Sequence, residues 1–77
     1  MQTPIQRLNQ LAAGIEGIPE PTEKDAEAIL DAIVEATGIH YTMEDIANPR
    51  SLSDEHLCYE LLTHFGQPDR AADEYGG

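Results

Sequence analysis

Cysteine, aromatics and positive charge are all scarce in this sequence. One cysteine, Cys58, excludes an internal disulfide framework and cannot build a cysteine zinc site alone. One phenylalanine, three tyrosines and no tryptophan leave aliphatic side chains to build the core. No apolar run approaches a membrane span. MQTPIQRLNQ has neither the basic nor the apolar region of a signal peptide, so a reducing cytoplasm is the expected location. GxSxG, HExxH, CxxC and a glycine-rich phosphate loop are all missing, and no enzymatic activity is expected.

Positive charge is scarce against negative. Four basic residues face fifteen acidic ones, for a formal net charge of −11, and Lys24 is the single lysine. Neutralising nucleic-acid phosphates needs a basic surface, so direct nucleic-acid binding is disfavoured, as is an anionic membrane. The charge is suited instead to a basic protein surface, reached through long-range steering. Adaptation of an acidic structural domain to high salt explains the same composition.

Helical patterns are what the sequence does contain, and 77 residues suffice for one small domain. In TPIQRLNQLAAGI, Thr3 caps, Pro4 suits the first helical position, and Ile5, Leu8, Leu11, Ala12 and Ile15 follow helical spacing. Gly17, Pro19 and Pro21 then stop the helix. Thr22 opens the next, with Asp25 completing a capping box and Gly38 supplying a left-handed stop. Its apolar stripe is Ala26, Ile29, Leu30, Ile33 and Val34. Thr42 and Asp45 mark a short turn before Asn48-Pro49, with Ile39, Tyr41, Met43 and Ile46 expected to plug the end of the core.

Ser53 caps a last helix with Asp54 and Glu55 at its positive end and Gly66 at its close; Leu57, Leu61, Leu62 and Phe65 form the inward face. The tail QPDRAADEYGG has no apolar period. The expectation is an all-α bundle of three helices plus a short helical turn over residues 1–66, with a flexible acidic tail over 67–77. A core this small is marginal, and apolar stripes it cannot cover would make a homodimer or partner interface.

Few constellations suggest site chemistry. His56, Glu60 and His64 follow at intervals of four, but the histidines stand about 12 Å apart along a helix, too far to share one ion. His56 with Glu60 is too few ligands for structural zinc. Cys58 and His64 point to different sides of one helix. No metal and no cofactor is expected.

Two resemblances are short. Ser51-Leu52 followed by Leu57, Leu61 and Phe65 is similar to the register of acyl carrier proteins, over about fifteen residues, with Arg50 where that family carries an acid. The resemblance implies a phosphopantetheine arm on Ser51. Gly76-Gly77 looks like the conjugation tail of ubiquitin-like modifiers, without the strands of their fold.

The most distinctive stretch is TEKDAEAILDAIVEATG. Glu23, Glu27, Asp31 and Glu35 recur every four residues, a spacing at which like charges weaken a helix. Opposite the apolar stripe they face outward, about 6 Å apart along the axis, a pitch of the same order as phosphate spacing along a nucleic-acid strand. An ordinary solvated helix mixes Glu with Lys, whereas Lys24 is expected to lie off this ladder. Size and charge resemble those of DNA-mimic proteins and of small phage-encoded inhibitors, including some anti-CRISPR proteins. The expected function is a binding module that occludes a basic nucleic-acid-binding surface on a partner protein. Glu23, Glu27, Asp31 and Glu35 would form one acidic row, and Asp54, Glu55 and Glu60 a second.

Overall fold

Thr3, Thr22 and Ser53 each start a helix for the same reason: a side-chain oxygen accepts from a backbone N–H left unpaired in the first turn. The computed structural model describes residues 2–76. Its helices are α1 (Pro4–Ala13), α2 (Glu23–Thr37), α3 (Met43–Ala47), α4 (Asp54–His64) and α5 (Pro68–Tyr75). No strand occurs among the described residues, so the protein is all-α. No helix among them is long and apolar enough to cross a membrane.

The main core joins Leu8 and Ala12 of α1, Ala26, Ile29 and Ile33 of α2, Ile46 of α3, Leu52 from the connection, and Leu57 and Leu61 of α4. Apart from Leu52, each inward position is the one its helical period dictates. Two expectations about this core need correcting. Leu30 and Val34 are only half-buried, so the inward stripe of α2 is narrower than its apolar stripe. Ile39, expected to plug the core, is 50% exposed.

The larger correction is at the C-terminal end, where residues 68–75 form α5 rather than a flexible tail. Gly66 makes this possible. At φ 82° it takes the left-handed conformation, its N–H bonding Thr63 O while the N–H of Gln67 bonds Leu62 O. This Schellman turn reverses the chain and lays α5 on α4. Ala71 is then fully buried in a second cluster with Ile15, Cys58 and Leu62, against which Tyr75 packs. Arg70 fastens the other side, donating to Glu16 O and pairing with Glu74 at 2.5 Å. The described fold is therefore five helices in place of three and a turn. Gly77 lies outside the described residues.

Candidate functional site

The outward face of α2 follows from the inward one. With Ala26, Ile29 and Ile33 buried, Glu23, Glu27, Asp31 and Glu35 are all exposed. The ion pairs among the described residues involve Arg7, His56, His64 and Arg70, and none includes a ladder carboxylate. The ladder is not a straight row. At about 100° per residue, each four-residue step advances about 40°, so the carboxylates wind around the helix. The same geometry corrects the placement of Lys24, whose azimuth lies between those of Asp31 and Glu35. Lys24 sits about two turns before Asp31 and pairs with no acid among the described residues.

Beside the ladder the surface becomes apolar. Leu30 and Val34 stand next to Glu27 and Asp31 and, with Tyr41 and Met43 from the following segment, line an open cleft of about 550 Å³. Leu30, Tyr41 and Met43 pack on the main core from above, and all four apolar residues are half-buried. Gly38, left-handed at φ 76°, turns the chain so that His40, Tyr41 and Met43 line the far side. His40 completes the lining, and its sequence neighbour Ile39 is 50% exposed. The site thus combines a carboxylate rim with an aliphatic and aromatic floor.

The expected second row on α4 does not form as a surface of free charges. Glu55 is exposed and unpaired among the described residues. Asp54 accepts from Arg7 Nη2 at 2.7 Å, although its side chain is 73% exposed. Glu60 is buried, 3.8 Å from His56 Nε2. Burial pushes its carboxyl above the ordinary value, and the neighbouring His56 only partly offsets this. Glu60 therefore leaves the set of displayed acids.

Arg7 is the residue that hydrophobic patterning overlooks. It is 3% exposed, donates to Ile46 O at 2.8 Å and ties α1 to both α3 and the start of α4. Its one sequence signal is position, next to Leu8 on the inward side of an amphipathic helix. A second tie joins Asp25 at the start of α2 to His64 at the end of α4, at 2.8 Å. Hydrogen bonding to His64, and then to the Thr22 backbone, holds the Asp25 carboxyl below the ordinary value.

The remaining chemistry-bearing residues stay apart. His64 is occupied by Asp25 while His56 faces Glu60, and no group of three metal-ligating side chains gathers among the described residues. Cys58 is packed in the second cluster, and desolvation raises its thiol. Ser51 lies half-buried in the connection before α4, whose N-cap is Ser53, and it stands against Asp45 rather than at the helix start. No protein-family model, curated protein or solved structure matches this chain.

Proposed function

We propose that the protein is a non-enzymatic binding module whose α2 face occupies a basic, nucleic-acid-binding surface of a partner protein. One observation carries the reading: four carboxylates on α2 are exposed with no ion pair among the described residues, in a chain of net charge −11. A solvated helix gains stability by alternating Glu with Lys, and this face has Lys24 alone against four carboxylates, paired with none of them among the described residues. Glu23, Glu27, Asp31 and Glu35 stand where lysines and arginines of a phosphate-binding groove would meet them. Glu55 adds charge near the start of α4. Binding would displace nucleic acid by competition, with association fast at low salt and slowed as salt rises.

Displacement tests this directly. Proteins retained on DNA-cellulose are washed with the intact protein, or with a variant carrying Glu27→Gln, Asp31→Asn and Glu35→Gln. The intact protein should release a discrete basic protein, and the variant should release none. Release of the same protein by both would refute the proposal.

A further inference from the structure

The cleft beside the ladder specifies more about the partner than its charge. Charge alone asks for a flat acidic surface, yet Leu30, Val34, Tyr41 and Met43 leave an apolar floor beside Glu27 and Asp31, with His40 also in the lining. Ile39, adjacent in sequence to the lining residue His40, is the large hydrophobic residue left most open among the described residues, at 50% exposure. Apolar surface rimmed by polar groups is the form of a docking groove.

A second copy of this chain is a poor occupant. It would bring two acidic rims together, and two of its basic side chains are already committed, Arg7 to Asp54 and Arg70 to Glu74. Resting on the acidic-face reading above, we infer that the groove takes an amphipathic basic segment of a partner protein. An apolar side chain enters between Leu30, Val34, Tyr41 and Met43, and flanking Lys or Arg side chains meet Glu27 and Asp31. This is helix-in-groove recognition with charge complementarity at the rim. The apolar anchor supplies what a carboxylate row lacks, because exposed ion pairs alone contribute little and are screened by salt.

Two synthetic peptides separate the contributions: one with Leu on one helical face and Lys on the other, and one of equal charge with Ser replacing Leu. Calorimetry at about 150 mM salt should show the Leu peptide binding about tenfold or more tightly. Amide shifts should centre on residues 27–43. Val34 is half-buried and not part of the main core, so Val34→Thr should keep the fold while narrowing the gap between the peptides. The Glu27→Gln, Asp31→Asn pair should weaken both peptides. Equal affinity of the two peptides, or shifts centred elsewhere, overturns the groove and leaves the acidic-face reading standing. Binding of neither peptide overturns both. Concentration-dependent broadening of residues 27–43 without peptide would assign the groove to a second copy and also overturn the inference.

Discussion

Helices α2 and α4 both carry acidic side chains, but the fold uses the two sets differently. On α4, Glu55 is exposed and unpaired among the described residues, but Asp54 is held by the buried Arg7 and Glu60 is buried beside His56. On α2, Asp25 is tied to His64, whereas Glu23, Glu27, Asp31 and Glu35 touch no cation among the described residues. Charge count does not distinguish these groups; surroundings do. An acid that closes a helix–helix contact has a structural reason to be where it is. Glu27, Asp31 and Glu35 on the outer face of α2 close no such contact, Glu23 has only its place at the positive end of the helix dipole, and the cleft floor beside them is half-buried.

The contrast is sharpest between the two faces of α2. Ile33→Ala, on the inward face, should cost about 2–5 kcal/mol, because a fully buried side chain leaves both lost transfer energy and a cavity. For a domain of this size that is a large share of its total stability, and chemical denaturation would report it. Asp31→Asn, about half a turn away, should leave the denaturation midpoint unchanged or raised.

Arg7→Ala should come next, at about 2–3 kcal/mol. The exposed Asp54 half of the pair contributes little of this. The loss comes from the buried guanidinium stem and from Ile46 O left without its donor. Should Arg7→Ala be near neutral, the tie that holds Asp54 would carry no structural weight, and that part of the comparison would fail.

Glu60 gives an effect of opposite sign. Its carboxyl is raised in the fold, so between the ordinary value of 4.5 and the raised one the folded state binds more protons than the unfolded state. Stability therefore falls as pH rises through that window. Glu60→Gln should stabilise the protein at neutral pH, and the advantage should vanish below about pH 4.5 in thermal melts.

Asp25 behaves the other way. Its lowered carboxyl contributes stability that is present above 3.8 and lost as pH falls through the folded value. Asp25→Asn should cost about 1 kcal/mol at neutral pH, part of it lost capping, and should flatten the acid limb of the stability curve. An acid limb unchanged in that variant would remove Asp25 from the structural set.

Much of this could be read from residue order. Caps at Thr3, Thr22 and Ser53 and the periodic Ile29, Ile33, Leu57 and Leu61 act locally, so sequence reveals them. Helix α5 was hidden because it contributes little apolar surface of its own: Ala71 is buried, Tyr75 packs partly covered, and the rest depends on Gly66 turning the chain back and on Arg70 reaching Glu16 O. Pro68 at the first turn and Asp69 beside it were the readable signals. The fates of Asp54 and Glu60 depended on Arg7, 47 residues away, and on burial, neither of which spacing encodes. The cleft was hidden for a similar reason, since Leu30 and Val34 fit the core period equally well. Only packing decides that they are half uncovered.

Under the function proposed above, the outer face of α2 serves contact and not the fold. The measurement that bears on it most directly compares the protein with its Glu27→Gln, Asp31→Asn, Glu35→Gln variant in two readouts, the thermal midpoint and displacement from DNA-cellulose. An equal or higher midpoint is expected, since like-charge repulsion at four-residue spacing is relieved, together with loss of displacement. A lowered midpoint with displacement intact would contradict it.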